Sequence, residues 1–428
     1  MGGLLSQLAA SDRRVLEQLS ENGEAWIVGG WVRDSLQGLN PKEMDIATNL
    51  HPDVVMQLFD KTIPVGAAFG TILVLDEDSE KSWEVTTLRS EGTYGDGRRP
   101  DKVEFGDDII EDLARRDFTI NAMALNPITA EIIDEFGGID DLNAGLIRAV
   151  GNAQERISED GLRIMRAFRF LDSGELGLRN IDDDLQTAIT DNLNMLGKVS
   201  SERKWAELSR IFQGINNIQV IELMKNFGVL SEIIPETKFS RIERFSDSSV
   251  VNLAILCSRD SRSGTSLADH LQQTFRLSNE ESSRIRFLHG LQIEDLSHDI
   301  NSLRRFNAAL SDYMKKDVVT YFGEKGIEFL KASSKVEPLN AGNKPLIDGK
   351  ELMKVTGLKP GIRLGRLKGW LHRRQIEENL SDADEVISLL KTIDWESEEP
   401  DSWPSLACLL YTSPSPRDLS TSRMPSSA

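Results

Sequence analysis

Leu4, Leu8, Val15 and Leu19 recur at roughly helical spacing through residues 3–22, and the run stops at Gly23, which predicts an N-terminal helix. From Ala25 to about Val150 the pattern changes to short apolar runs alternating with helical pieces. Strands are predicted over 25–28, 43–48, 71–76, 82–88, 102–105 and 131–134, with helices after Gly30, after Pro52 and around 108–124. That alternation predicts an α/β region built on one sheet. After Asn152 strand signals nearly vanish, and helical patterns run to about residue 395, broken near Gly214, Pro235 and the Ser-rich stretch 258–265. The expected organisation is an α/β head followed by a long helical remainder, with no internal repeat.

Composition narrows the class. The chain has 428 residues, 39% apolar and 28% charged, which fits a soluble protein of several domains. No window approaches the ~18 apolar residues of a membrane span, and the N-terminus MGGLLSQLAASDRR lacks the pattern of a secretory signal. Two cysteines and five histidines leave no disulfide framework and no zinc cluster, so the cytoplasm is the expected compartment. The net charge of −19 means that any nucleic-acid surface must be a local basic patch on an acidic body. From Cys408 onward the chain reads CLLYTSPSPRDLSTSRMPSSA, rich in Ser, Pro and Thr without apolar periodicity. It resembles the translation of a sequencing-adapter read, so residues 408–428 are expected to be a non-native scar that replaces the native C-terminus.

The stretch IVGGWVRDSLQGLNPKEMDIAT (27–48) carries the first chemistry. Side chains two apart on a strand share a face, so Glu43 and Asp45 are expected side by side while Met44 and Ile46 point inward. Two adjacent carboxylates repel, and a hard divalent cation such as Mg2+ relieves that repulsion. A third acid in a similar setting is Glu84, between Trp83 and Val85. Three such carboxylates can hold two ions, one activating an attacking hydroxyl and one holding a triphosphate. Acid–apolar–acid is also the pattern of an ordinary half-exposed strand. The glycine pair Gly29-Gly30 sharpens the reading: without Cβ atoms the backbone approaches a phosphate closely, and Arg33 adds a charge for the same anion. Asp34 is expected to support Arg33 or the helix start.

Together these features resemble the polymerase-β-like nucleotidyltransferases, and within them the class II CCA-adding enzymes and bacterial poly(A) polymerases. RRDFTINAMALN (115–126) resembles the family's ribose-sensing motif, which implies that Arg116, Asp117 and Asn121 contact the incoming nucleotide. GGIDDLNAGLIRAVG (137–151) is similar to the segment joining head to neck, SEDGLRIMRAFRF (158–170) to the nucleobase-reading motif, and VSSERKWAELSRIF (199–212) to the following neck helix. LIDGKELMKVTGLKPGIRLGRLKGWL (346–371) resembles the tRNA-holding tail. The resemblance is strong over roughly 25–235 and moderate over 340–380, while 240–335 carries no usable motif. Two departures are Glu43, where the family usually has Asp, and Ile157, where Phe is more usual.

Asp160, Arg163, Arg166 and Arg169 recur every three residues, which predicts a stripe along one helix. Such a stripe is often only a solvated, salt-bridged face. Cytosine and adenine, however, both present an amino donor beside a ring-nitrogen acceptor, complementary to a carboxylate beside a guanidinium. On this reading Asp160 accepts the amino proton and Arg163 donates to the ring nitrogen. Arg166 and Arg169 serve the phosphates or hold the pair, and no nucleic-acid template is required. The stretch LRSEGTYGDGRRP (88–100), with Asp96, Arg98 and Arg99, has the Gly-rich composition of a mobile loop, and the resemblance ties its full-looking form to complete CCA addition. From Lys354 to Arg374 there are seven basic residues and no acid. Lys359, Arg363, Arg366, Lys368, Arg373 and Arg374 are candidate RNA contacts, with Trp370 sharing the helical face of Arg363, Arg366, Arg373 and Arg374.

The expected fold is therefore α+β: a small polymerase-β-like nucleotidyltransferase head (mixed sheet with helices) over 1–150, followed by an elongated all-helical neck (151–235), body (236–335) and basic tail (336–407). The resemblance implies Mg2+-dependent addition of CCA to tRNA from CTP and ATP, with two ions. Catalysis and metal binding would fall to Glu43 and Asp45, joined in catalysis by Glu84, in a cytoplasmic monomer or homodimer free of any membrane. The alternatives are a poly(A) polymerase, a partial CC- or A-adding enzyme, or a catalytically silent RNA-binding protein.

Overall fold

The computed structural model describes residues 3–41, 43–66, 70–76, 80–89, 105–291 and 297–404. Residues 90–100 of the stretch expected to form a loop, with Asp96, Arg98 and Arg99, and residues 408–428 lie outside them. The chain divides into two compact units, Met1–Pro235 and Glu236–Ala428.

The first unit opens with α1 (Ala10–Asn22), which ends at Gly23. Strands β1 (Ala25–Val28), β2 (Asp45–Thr48), β3 (Thr62–Gly66), β4 (Thr71–Leu75), β5 (Ser82–Thr87), β6 (Ala124–Leu125) and β7 (Ile132–Ile133) form one sheet in the order β3-β4-β5-β2-β1-β6-β7. The β2–β5 pair is parallel and the rest antiparallel, which makes the sheet mixed. Helices α2 (Gly30–Leu36), α3 (Pro52–Leu58), α4 (Ile109–Ala114) and α5 (Gly138–Ala144) complete the head. One sheet face carries Trp26, Val28, Ala47 and Leu88 against Ile109 and Leu113 of α4. Helices α1 and α3 pack against each other and the sheet, and Trp83 Nε1 donates to the buried Asp12 of α1 at 2.8 Å.

Strands β3 and β6 were not expected, whereas β7 falls within the strand expected over 131–134. Pro64 demotes its stretch in a sequence reading, yet an edge strand tolerates proline because its outer N–H groups need no partner. β3 pairs only with β4 and leaves Ile63 and Val65 exposed. The helix expected around 108–124 is shorter. It stops at Ala114, and Thr119–Asn121 form a 3-10 turn before β6. The strand expected at 102–105 is described only at Phe105, which bridges Arg89.

Beyond the head, β8 (Leu146–Ile147) and β9 (Asn180–Ile181) form a short parallel pair. Around it lie α6 (Ala153–Glu159), α7 (Leu162–Leu171), α8 (Asp183–Asp191), α9 (Ser201–Phe212), α10 (Asn217–Asn226) and α11 (Val229–Ile233). The second unit is helical: α12 (Ser249–Leu256), α13 (Gly264–Phe275), α14 (Asn279–Gly290), α15 (Ile300–Ala309), α16 (Asp312–Phe322), α17 (Glu324–Ser333), α18 (Gly349–Thr356), α19 (Ile362–Glu378) and α20 (Ala383–Ser388). No helix among the described residues is long and apolar enough to cross a membrane.

Candidate active site

β1 ends at Val28, directly opposite Asp45, and the chain turns at Gly29 into α2. Gly29 has φ +68°, a backbone state that strains any residue with a side chain. A Cβ there would also lie 2.9 Å from Arg116 Nη1 and 3.9 Å from Asp45 Oδ2, so this glycine borders a space shared by an arginine and an acid. Gly30 has ordinary room, with Arg33 Nη2 at 3.6 Å from such a Cβ.

Asp45 and Glu84 occupy matching positions on the parallel strands β2 and β5, and both are exposed. Facing residues of paired strands point to one side of the sheet, so the two carboxylates stand together. The strand expected over 43–48 begins only at Asp45. Beyond Val28 the β1 backbone has already turned away at Gly29, so Glu43 lacks that ladder partner and precedes the strand. Glu43 is exposed and still acts on the pair through its charge. The Asp45 carboxyl is pushed above its ordinary value chiefly by loss of water around it, against the pull of Arg116 and with help from Glu43. Desolvation likewise raises Glu84, and the charges of Asp45 and Glu43 add to it. None of the three carboxylates makes a hydrogen bond or ion pair with another described residue.

Among the described residues no three His, Cys, Asp or Glu side chains are gathered tightly enough to form a metal cage. The donor set instead fits the mode in which Mg2+ takes one or two carboxylates and completes its shell with substrate phosphates and water. Self-repelling, unpaired oxygens are what such an ion would relieve.

A second group of side chains runs inward from this edge. Arg116 donates from Nη1 to the Asn121 carbonyl at 3.3 Å and from Nη2 to Asp112 at 3.4 Å. Arg33 is held by Asp34 at 2.7 Å, the supporting role expected for Asp34, and donates from Nη1 to Asn121 Oδ1 at 2.6 Å. Asn121 Nδ2 donates in turn to Asp117 Oδ1 at 3.1 Å. Asp117 is buried and takes Arg166 at 2.6 Å on its other oxygen. Burial alone would raise its carboxyl, but Arg166, Asn121 and the Phe118 N–H hold it below the usual range. Arg169 Nε then meets the buried Glu207 of α9 at 2.8 Å, and Arg210 meets the same carboxylate at 3.1 Å.

The base-reading stripe is broken. The helix interrupts at Asp160-Gly161, where Asp160 has extended backbone (φ −150°) and caps α6 while Arg163 belongs to α7. The chain packs tightly just after the break, where a Cβ on Gly161 would fall 2.4 Å from the Met195 carbonyl oxygen. Asp160 is taken by Arg203 of α9 at 2.7 Å, and Arg163 by Glu159 at 2.6 Å, so the two expected partners are each engaged elsewhere. Arg203 and Glu207 are scaffold residues that sequence reading passed over. Four apart in a helix, they look like any surface pair, and only burial of Glu207 sets them apart.

In the second unit, α19 carries the basic run. Trp370 is buried with Leu364, Leu367 and Leu371 in the core of this module, and the Arg374 guanidinium lies over its ring at 5.9 Å. Arg363 donates to the Trp395 carbonyl at 2.7 Å, Arg373 pairs with Glu377 at 2.8 Å, and Arg374 pairs with Glu378, acids that lie just past the acid-free window. Lys359 is exposed, and Arg366 and Lys368 are half-buried.

A mixed-sheet head with paired carboxylates beside a glycine turn defines a nucleotidyltransferase class of fold. Residues 25–148 match the family described as "Poly A polymerase head domain", and 180–240 match "Probable RNA and SrmB- binding site of polymerase A". A CCA-adding enzyme of Ligilactobacillus salivarius is 33% identical across 87% of this chain and 93% of its own length. One from Leuconostoc mesenteroides is 44% identical over 49% of this chain and 51% of its own. The chain belongs to the CCA-adding enzyme family. The same architecture recurs in the Bacillus stearothermophilus CCA-adding enzyme in complex with CTP, with TM-score 0.72 and 23% identity over 92% of this chain and 98% of that one. The Thermotoga maritima CCA-adding enzyme complexed with tRNA has TM-score 0.62 and 20% identity over 91% of this chain and 98% of that one.

Proposed function

We propose that this protein adds CCA to the 3′ end of tRNA from CTP and ATP without a nucleic-acid template, in the cytoplasm. The observation that carries the reading is the register of Asp45 and Glu84 on adjacent strands, with Gly29 and Arg116 opposite Asp45. Family membership over most of the chain favours CCA addition over a poly(A) polymerase or a silent binder.

In the reaction the RNA 3′-OH attacks the nucleotide α-phosphorus, a new P–O bond forms, and the α–β bridge breaks to release pyrophosphate. Asp45 and Glu84, with Glu43 beside them, would hold Mg2+, two ions in the fullest form. Bound metal would supply charge neutralisation for the triphosphate and acidify the attacking hydroxyl. Gly29 and Gly30 leave room for phosphate, and Arg33 and Arg116 supply positive charge on either side of the turn. Asn121, itself held by Asp117, fixes those arginines, and both border the sugar. Asp160 and Arg163 read the base, which requires Asp160 to exchange Arg203, and Arg163 to exchange Glu159, for the incoming nucleobase. Lys359, Arg363, Arg366, Lys368, Arg373 and Arg374 hold the tRNA backbone.

Purified protein is incubated with tRNA lacking CCA and each labelled nucleotide. Incorporation of CMP and then a single AMP is expected. Long AMP tails, or no incorporation with any nucleotide, would overturn the reading.

A further inference from the structure

Three guanidinium groups crowd one aromatic ring. Arg33, Arg166 and Arg169 place their Cζ atoms 5.1, 5.4 and 4.2 Å from the centroid of Phe170. Arg179 donates Nη1 to the Phe170 carbonyl at 2.8 Å, and burial, then the nearby Arg33 charge, lowers its guanidinium to about 10. Each of the three ring-facing arginines meets a carboxylate: Arg33 meets Asp34 at 2.7 Å, Arg166 meets Asp117 at 2.6 Å, and Arg169 meets Glu207 at 2.8 Å, an acid also reached by Arg166 at 3.7 Å and by Arg210 at 3.1 Å. Phe118 packs against the ring edge at 5.8 Å. The arginines come from two separate elements, Arg33 from α2 beside the glycine turn and the others from α7. They are not sealed, since Arg33, Arg166 and Arg169 keep 14%, 30% and 24% of their side chains accessible.

Like charges at this separation repel, and carboxylates alone would draw each arginine toward its own acid. A ring face attracts cations through its quadrupole, so one phenylalanine can gather several guanidinium groups at fixed spacing. We propose that Phe170 is a positioning residue for the incoming nucleotide: its ring sets the spacing of Arg33, Arg166 and Arg169, which aim their remaining N–H groups at the triphosphate and sugar. This rests on the nucleotidyltransferase reading above. Asp160 and Arg163 are not among the groups around the ring, so Phe170 acts on binding strength for CTP and ATP alike and not on the choice between them.

The test replaces Phe170 with mono-, di- and trifluorophenylalanine, which keep the shape while draining the ring's negative face, and with F170Y and F170L. Binding of CTP and ATP by the intact protein, KM and kcat for each nucleotide, and Tm are measured. Dissociation constants and KM are expected to rise stepwise with fluorine number, to about 10-fold, equally for both nucleotides and with Tm unchanged. F170L should lose about as much, and F170Y should retain near-normal values. A flat fluorine series, a rise confined to one nucleotide, or a fall in Tm with KM unchanged would overturn the proposal. If unmodified protein binds CTP and ATP and the series is flat, only this proposal fails. If it binds neither nucleotide, the functional reading fails and takes this proposal with it.

Discussion

The first unit contains two sets of carboxylates that are treated in opposite ways. Glu43, Asp45 and Glu84 are exposed without ion pairs among the described residues, and the affinity of Asp45 and Glu84 for protons is raised by lost water and by neighbouring acid charge. Asp117, Glu159, Asp160 and Glu207, deeper or further along, are each clamped by arginines, and the Asp117 and Glu159 carboxyls are held down. The first set stores repulsion that a cationic ligand can discharge; the second spends its charge on fixing arginines in place. Acid should therefore act on them with opposite sign. A carboxyl raised in the fold costs stability while ionised, and that cost disappears as pH falls below its unfolded value. A depressed carboxyl such as Asp117 contributes stability above its unfolded value and loses it as pH falls through the folded one.

Breaking the first set should have the largest effect. Asp45→Asn or Glu84→Gln is expected to cut nucleotide addition on the order of 10³-fold, the loss of several kcal/mol of charge stabilisation. In divalent-free buffer at neutral pH the same variants should melt higher, by roughly 1–3 °C, because a self-repelling charge is gone. Calorimetry with and without Mg2+ checks both signs. A variant that melts lower in the absence of metal would show that these acids are structural.

Glu207→Gln attacks the second set. Arg169 and Arg210 would lose their shared carboxylate, leaving buried charge uncompensated at a cost of about 3 kcal/mol. Denaturant unfolding measures it, and the loss should be reproduced by Glu207→Ala. A change below about 1 kcal/mol would mean that the network is solvated like a surface pair.

What could be read in the sequence divides along the same line. The cleft is local: Gly29 follows β1, Asp45 opens β2 and Glu84 lies on the neighbouring β5, and short apolar runs alone placed those strands in the sequence. Only Glu43 was misplaced, by a turn whose effect reaches across to the neighbouring strand. The clamps are not local. Arg33 meets Asn121 from 88 residues away, Arg166 meets Asp117 from 49, and Arg203 meets Asp160 from 43, distances at which spacing says nothing about partners. A three-residue period looked like one stripe because nothing in it revealed that Asp160 takes extended backbone and separates α6 from α7. Trp370 shows the same limit, since charge count does not tell that its ring is buried in the core of this module beneath the Arg374 guanidinium.

Arg203 sharpens the contrast between spare and spent acids, because it holds the one clamped carboxylate expected to be released to substrate. Arg203→Ala should leave Asp160 free but unaimed, and discrimination of CTP and ATP against UTP and GTP should drop by about 10-fold, the weight of one good base contact. Rates with each of the four nucleotides measure this ratio. Unchanged selectivity would assign Arg203 to stability alone.

The smallest effect belongs to the tail, where spent charges on α19 and a spare one just before it lie close in sequence. Arg373 and Arg374 are paired with Glu377 and Glu378, and Arg363 with backbone carbonyls, so each would have to give up a partner before meeting a phosphate. Lys359 is exposed and contributes charge without that exchange. Lys359→Ala should weaken tRNA binding about two- to threefold and reduce the salt slope by about one, with no change in nucleotide choice. Arg374→Ala should do less, since the guanidinium it removes is already neutralised by its neighbour on the next turn. Filter binding across a salt series ranks the two. If Arg374→Ala is the more damaging, Glu378 must release its arginine when RNA arrives, and the paired half of this helix is the contact surface.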